Sequence, residues 1–414
     1  MAALQPIRGT HDLLPDDARR HRHVIETART TLGRYGYQEI ATPIFESTDV
    51  FQRTLGDTSD IVTKEMYTFS VKGEEQVTLR PENTAGVARA FISNGLAQHL
   101  PLKFFYAGPM FRYERPQKGR QRQFHQIGIE LLGVAEPLGD VEVVAAGAHV
   151  LESLGVLGKT RLELNTLGDT ESRTAYRNRL IAYFGAHLGK LSADSRDRLD
   201  RNPLRILDSK DPADREIVAG APLFESDLTE AARNYFDAVK RGLDSVGVAY
   251  HLNPRLVRGL DYYCHTAFEF TTDALGAQGA VIAGGRYDGL IETMGGPPTP
   301  GVGWAGGIER LAMLANAELA APRPIALVPM GAAAETEALK LAQYFRRAGF
   351  TIELGYRGNI KKRMARADKL KARAAIIIGD DELAKKAVTL RDLDSGEQRA
   401  VPFDQLEQAL AQYR

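Results

Sequence analysis

The densest chemistry in the chain lies in Leu256-Val-Arg-Gly-Leu-Asp-Tyr-Tyr263, which sets Arg258, Asp261, Tyr262 and Tyr263 within six positions. A guanidinium cannot lose its proton at working pH, so Arg258 suits a phosphate whose charge develops in a transition state. Gly259 permits an unusual backbone turn. A structural loop closed by an internal Arg258–Asp261 pair would use the same residues.

A second group of polar side chains alternates along two stretches, 103–112 and 123–132, that read as strands. Side chains of a strand point to opposite faces in turn. Ile127, Ile129 and Leu131 therefore share a core face, while Gln126, Gly128 and Glu130 share the other. Gly128 leaves room between a carboxamide and a carboxylate. In the first stretch Phe105, Ala107 and Phe111 point one way, and Tyr106, Gly108 and Arg112 the other. An antiparallel pairing would set both polar faces on one pocket; a half-wet sheet face would show the same alternation. Pro109 predicts a bulge or an edge. Between the strands, 113–122 is too charged for a core and too long for a tight turn. Its Arg115, Lys118, Arg120 and Arg122 fit either a polyanion or plain solvent.

Glycine-rich segments follow at 284–289 and 301–310. The second holds a literal G-x-G-x-x-G from Gly301 to Gly306. A dinucleotide site needs a strand just before that pattern and an acid about 20 positions later; Pro297, Pro298 and Pro300 precede it instead. The glycines would let a flat ring lie against backbone, and Arg310, near a helix start, could meet a phosphate. There is no G-x-x-x-x-G-K-[ST], H-E-x-x-H or G-x-S-x-G. The nine histidines are scattered, and His11, His125 and His265 read as structural or polar contacts rather than ligands. No protein-bound metal is expected from these patterns.

The elements that must position these groups follow from periodicity. Residues 16–33 predict a helix, 38–45 an extended segment, and 66–70 and 76–80 short strands. Thr84 is a plausible N-cap for a helix to about Asn94. Residues 166–249 turn rich in Arg, Asp and Leu at helical spacing, which predicts a mostly helical insertion. Strands return at 267–271 and 280–283, and a helix near Gly307. After Ala320-Ala-Pro-Arg-Pro324, strand and helix alternate (325–328, 335–348, 351–354, 360–371, 374–378), which predicts a small α/β domain with parallel pairing. The expected division is thus 1–165, 166–249, 250–320 and 324–414.

Bulk properties bound the function. With 414 residues, 43% hydrophobic and 26% charged, the chain can bury a sizeable core in two or three domains. Lys plus Arg equals Asp plus Glu at 53 each, so a polyanion would have to be met by local patches. Cys264 alone rules out an intramolecular disulfide and a cysteine-rich zinc site, and fits a reducing compartment. No signal peptide or bilayer-length apolar run is evident, so a cytoplasmic protein is expected.

Taken together, the motifs resemble class II aminoacyl-tRNA synthetases, and within them the histidyl-tRNA synthetase family, nearly end to end. Arg8-Gly-Thr-His-Asp-Leu-Leu-Pro15 is similar to the family's opening. Residues 36–46 resemble the first class II motif, which in the family builds the dimer interface. Phe111-Arg-Tyr-Glu-Arg115 with 120–130 resembles the second, and 301–310 the third. Arg258-Gly-Leu-Asp-Tyr-Tyr263 is similar to the histidine-specific segment.

The resemblance implies an α+β fold: a catalytic domain on an antiparallel sheet with flanking helices, the helical insertion, and a C-terminal α/β anticodon-binding domain. It implies activation of L-histidine by ATP and transfer to tRNA(His), in a homodimer, with Mg²⁺ accompanying ATP and no zinc. Glu82 and Gln126, with Thr84 beside them, would hold the substrate ammonium. Glu130 and Tyr263 would recognise the imidazole, and Tyr262 and Tyr287 would close the pocket. Arg112 and Arg258 would clamp the α-phosphate as the catalytic pair. Arg120 and Arg310, with Glu114, would hold the outer phosphates. Arg115, Gln117 and Lys118 would touch the acceptor stem, and some of Lys361, Lys362, Arg363, Arg366 and Lys369 the anticodon side.

Asn83, Arg363 and Lys371 depart from residues common in relatives: glycine, glutamine and glycine. The rival readings are a synthetase-like regulatory subunit of ATP phosphoribosyltransferase, and a class II synthetase for another amino acid. The intact 258–263 segment and the C-terminal domain argue against the first, and Glu130 with the 258–263 segment against the second.

Overall fold

The computed structural model describes residues 3–414 apart from 57, 58, 60, 72, 74, 118, 210, 258, 259, 261, 277, 278 and 318. The chain forms two compact units, Met1–Glu318 and Leu319–Arg414. In the first, an eight-stranded sheet runs in the order β1 (Gln38–Glu39), β5 (Leu102–Phe111), β6 (Gln123–Leu132), β11 (Gly301–Gly307), β10 (Ala280–Arg286), β9 (Cys264–Thr271), β7 (Arg161–Thr166), β8 (His251–Leu252). The six central strands are antiparallel, while β1 against β5 and β7 against β8 run parallel at the edges. A separate three-stranded sheet joins β2 (Phe45–Ser47), β4 (Gln76–Leu79) and β3 (Tyr67–Ser70).

Period-two alternation decides which face is which. Ile127, Ile129 and Leu131 of β6 enter the main core. There they meet α1 (Pro15–Gly33) through Val24, Ala28 and Leu32, whose three-to-four spacing makes one helical stripe. Helices α4 (Pro137–Ser153), α8 (Glu230–Ser245) and α10 (Ile308–Ala315) complete that layer. A fully buried ion pair ties β10 to α4: Arg286 Nε donates to Asp140 Oδ2 at 3.0 Å, and the Tyr235 hydroxyl of α8 donates to the same oxygen at 2.7 Å. On the opposite face, α3 (Thr84–Ser93) and α9 (Leu290–Thr293) pack with Tyr106, Tyr263 and Tyr287, and α2 (Thr48–Leu55) packs on Ala85.

Helices α5 (Thr170–Ala186), α6 (Ala193–Arg201) and α7 (Pro212–Ala219) build a satellite core around Tyr176, Leu180, Phe184 and Ile217. Asp214 anchors it, accepting hydroxyls from Ser192, Ser195 and Ser209 at 2.6–2.7 Å. Those bonds outweigh burial and hold its carboxyl at about 2.

In the second unit, β12 (Ile325–Pro329), β13 (Ile352–Leu354) and β14 (Ala374–Ile378) pair in parallel, with α11 (Ala332–Arg347) and α12 (Ile360–Lys369) between them in sequence. After α13 (Asp380–Ala384), β15 (Ala387–Asp392) and β16 (Gln398–Pro402) extend the sheet antiparallel, before α14 (Leu406–Leu410). That antiparallel extension was not expected from sequence. Among the described residues no helix is long and apolar enough to cross a membrane.

Candidate active site

The ten-residue ladder of β5 and β6 pairs Phe104 with Glu130, Tyr106 with Gly128 and Gly108 with Gln126, so all six share the face away from the main core. Pro109 lies opposite His125 without a register shift, beyond the two-residue pairing of β1. It is an edge position rather than a bulge, and its carbonyl accepts Arg80 Nε at 2.9 Å. The gap at Gly128 is filled: a Cβ there would stand 2.3 Å from the Tyr106 ring. The pattern 301–306 is strand β11, not a phosphate loop. Gly303 lies opposite Glu130, and a Cβ on it would stand 2.0 Å from Glu130 Oε2. The flat rings against backbone are the protein's own, Tyr263 over Gly285 and Tyr287 over Gly301.

Glu130 is 1% exposed and lies beneath the floor of this site. Thr84 Oγ1 donates to its Oε1 at 2.7 Å, Tyr287 donates to Oε2, and Tyr106 reaches Oε1 at 3.5 Å. Burial pushes its carboxyl up to about 8, against the pull of those hydroxyls. Thr84 was expected as an N-cap, but it is the first residue of α3. The orphan amides of that helix are met by Glu82, whose carboxylate accepts Thr84 N at 2.7 Å and Ala85 N at 2.9 Å. Burial raises the Glu82 carboxyl, opposed by those amides and by nearby Arg112.

Above the floor opens a cavity of about 1090 Å³. Glu82, Thr84, Gln126, Tyr262, Tyr263 and Tyr287 line one part; Arg112, Glu114, Arg120 and Arg310 line another. Glu130 does not line it and stands behind Thr84 and Tyr287. Gln126 Oε1 is a buried acceptor with no partner among the described residues. Arg112 Nε donates to Pro81 O at 2.9 Å, and its guanidinium lies over Phe124, 5.3 Å from the ring centre. Glu114 stands between cations, 2.7 Å from Arg120 Nη1 and 3.9 Å from Arg112 Nη1. Arg310 is half-buried, with Nε and Nη2 unpartnered among the described residues. Burial and then the charge of Arg120 lower its pKa.

Arg258 and Lys118 lie outside the described residues, though Val257, Leu260 and Tyr262 beside Arg258 line the cavity. Arg115 and Gln117 are exposed on the 113–122 hairpin. That hairpin is braced by Arg122, stacked 3.9 Å over Tyr113 and hydrogen-bonded through its amide to Gly9 O at 2.7 Å. On α12, Lys361 and Lys362 are exposed, and Arg366 pairs with Glu353 at 2.9 Å through Nε. Arg363 is buried against Pro329 O and Glu335, so it cannot meet a phosphate as its place in that basic run suggested. Asn83 is also interior; its Oδ1 accepts Thr42 Oγ1 at 2.6 Å and Arg80 Nη1 at 3.2 Å.

Sequence reasoning missed Glu269, which lines the cavity. It sits between Phe268 and Phe270, so alternation along β9 could have flagged it. The ladder Tyr106–Gly128–Ala305–Ala283–Glu269 places it in one row across five strands. It also missed Arg173, Arg198 and Arg205, which bring the helical segment to the cavity wall.

Two family models match the chain: histidyl-tRNA synthetase over residues 9–311 and an anticodon-binding domain over 325–413. A histidine–tRNA ligase of Rhodospirillum rubrum is 62% identical over 414 residues, all of both chains. The crystal structure of apo S. aureus histidyl-tRNA synthetase matches with a TM-score of 0.83 at 35% identity, over 98% of this chain and 99% of that one. An ATP phosphoribosyltransferase regulatory subunit/histidyl-tRNA synthetase from Bacillus halodurans C matches with a TM-score of 0.66 at 21% identity, over 92% of this chain and 99% of that one, a likeness of fold alone.

Proposed function

Because this chain belongs to the histidyl-tRNA synthetase family and is a histidine–tRNA ligase, we propose that its cavity holds histidine at the tyrosine-lined end and ATP at the arginine-lined end. The enzyme joins histidine to tRNA at the expense of ATP. The identity to curated ligases over the full length favours this over the regulatory-subunit reading.

The α-ammonium goes to Glu82 and to the unpaired carbonyl of Gln126, beside Thr84. Glu130 and Tyr263 recognise the imidazole. The hydroxyls of Thr84 and Tyr287, two residues that line the cavity, already donate to Glu130, which leaves their oxygens as acceptors for ring N–H. A site of this kind rejects analogues that leave its buried polar groups unpaired. Tyr262 and Tyr287 close the pocket, their ring centres 5.7 Å apart.

In the first half-reaction a histidine carboxylate oxygen attacks the α-phosphorus. A new P–O bond forms as the bond to the bridging oxygen breaks, and pyrophosphate leaves. This displacement needs positioning and positive charge more than a base. Arg112 and Arg258 form the clamp on the α-phosphate, and Arg120 and Arg310 hold the outer phosphates with Glu114 between cations. Glu114 and Glu269, which line the cavity, would offer hard carboxylate oxygens to a Mg²⁺ that accompanies ATP, and the ion would neutralise part of the phosphate charge. In the second half-reaction a ribose hydroxyl of the terminal adenosine attacks the acyl carbon, loses its proton, and AMP departs. Arg115, Gln117 and Lys118 contact the acceptor stem, and Lys361, Lys362 and Arg366 contact the tRNA phosphates, giving a salt-sensitive affinity.

The divisions 1–165, 166–249, 250–320 and 324–414 serve these tasks in a cytoplasmic homodimer. Exposed Phe45 and Phe69, on one face of the three-stranded sheet, support that assembly. One observation supports the site assignment: Gln126 and Arg310, each with buried polar atoms unpartnered among the described residues, line the same cavity. ATP–pyrophosphate exchange tests it. Gln126→Leu raises KM for histidine and leaves KM for ATP within about twofold, a gap well under 1.4 kcal/mol; equal rises in both would refute the division of the cavity.

A further inference from the structure

At the edge of the cavity, whose lining includes Glu309, three side chains given no part in the reaction converge from three elements: His21 of α1, His125 of β6 and Glu309 in the first turn of α10. One ligand-type atom from each lies within 4.8 Å of the other two. Glu309 is already anchored, accepting His125 N at 2.9 Å and standing 2.8 Å from His125 Nδ1. The His21 ring meets His125 edge-on, with centroids 5.4 Å apart.

His21 differs from an ordinary core histidine. It is 8% exposed, and no hydrogen bond satisfies its ring among the described residues.

We propose that His21, His125 and Glu309 form a three-ligand site for a divalent transition metal of the zinc class. Two imidazoles and a carboxylate suit Zn²⁺ or Co²⁺ and leave a coordination position to water. Mg²⁺ prefers all-oxygen ligands and is a poor match, which separates this site from the ion that travels with ATP. Ligands about 2.1 Å from zinc lie about 3.4 Å apart in a tetrahedron, so small side-chain rotations close the set. A bound ion would join α1 to β6 and α10, the strand that carries Gln126 and the helix that carries Arg310.

Co²⁺ is the probe, since its visible d–d absorption reports imidazole and carboxylate ligation directly. Full-length protein, stripped with chelator and dialysed, is titrated with Co²⁺ in the presence of millimolar Mg²⁺. One equivalent should produce the band, and Zn²⁺ should bleach it. His21→Ala should weaken Co²⁺ binding by more than about tenfold, because one of three ligands is gone. His21→Gln, which keeps the volume, should do the same while retaining pyrophosphate exchange, which separates loss of ligand from loss of fold. A missing band, a band that Mg²⁺ abolishes, or equal affinity in wild type and both variants would overturn the site.

Discussion

Replacing Arg310 with methionine should weaken ATP and strengthen the empty protein at once. Methionine keeps a stem against Gly119, whose added Cβ would lie 3.4 Å from Arg310 Cγ, and removes only the charge. Two guanidinium nitrogens, Nε and Nη2, have no partner among the described residues. Hydrogen bonds to charged groups contribute about 1.5–3 kcal/mol each. Two bonds to phosphate oxygens, taken together at the low end of about 3 kcal/mol, correspond to about a hundredfold in ATP affinity. Without ATP the same groups are a liability. Each buried unsatisfied donor costs about 1–3 kcal/mol, and Arg120 repels the charge as well. Unfolding of the ligand-free variant should therefore shift up by about 1–2 °C per kcal/mol recovered in a unit of this size. Pyrophosphate exchange at varied ATP and differential scanning fluorimetry without ligand read the two effects. An unchanged KM for ATP would refute the phosphate role. A lower ligand-free Tm would show that Arg310 supports the fold instead.

Other consequences are as concrete. Glu130 has its carboxyl raised from 4.5 to about 8. Across that window the folded chain binds more protons than the unfolded one, so this group's contribution to stability declines as pH rises. Glu130→Gln should remove the decline, and its Tm advantage over wild type should grow from about pH 5 to about pH 8; a flat difference would mean Glu130 does not titrate there. Lys371 ends α12 at φ +50°, with its amide on Asp368 O at 2.9 Å and the next amide on Ala367 O at 3.0 Å. That is the glycine position of a Schellman cap, so Lys371→Gly should stabilise the second unit by about 1 kcal/mol in urea unfolding, and a loss would contradict the strain. Phe45→Asp with Phe69→Asp should convert dimer to monomer in light scattering; an unaltered mass would remove that face from the interface.

Much of this site follows from local pattern, because alternation in one strand needs no knowledge of its neighbours. The polar face of β5 and β6, the core face of Ile127, Ile129 and Leu131, and the helix over 15–33 are of that kind. What stayed hidden depends on register between segments far apart in sequence. Glu269 joins the site only once β9, β10, β11 and β6 are aligned. Gly128 and Gly303 look like spare room until the Tyr106 ring and the Glu130 carboxylate are seen occupying it. Glu82 could not be identified as the cap of α3, since its carboxylate reaches past Asn83 to the helix amides. Arg363 looked solvated within a basic run, but its place one helical turn from Ala367 turns it inward.

The most direct test is a crystal structure of the protein with ATP and histidinol, which lacks the carboxylate and so cannot react. The account predicts the imidazole between Tyr263 and Tyr287 over Gly303, the amine at Gln126 and Glu82, and the triphosphate along Arg112, Arg120 and Arg310. A ring bound away from Glu130 and Tyr263, or a triphosphate that leaves Arg310 without a partner, would contradict it.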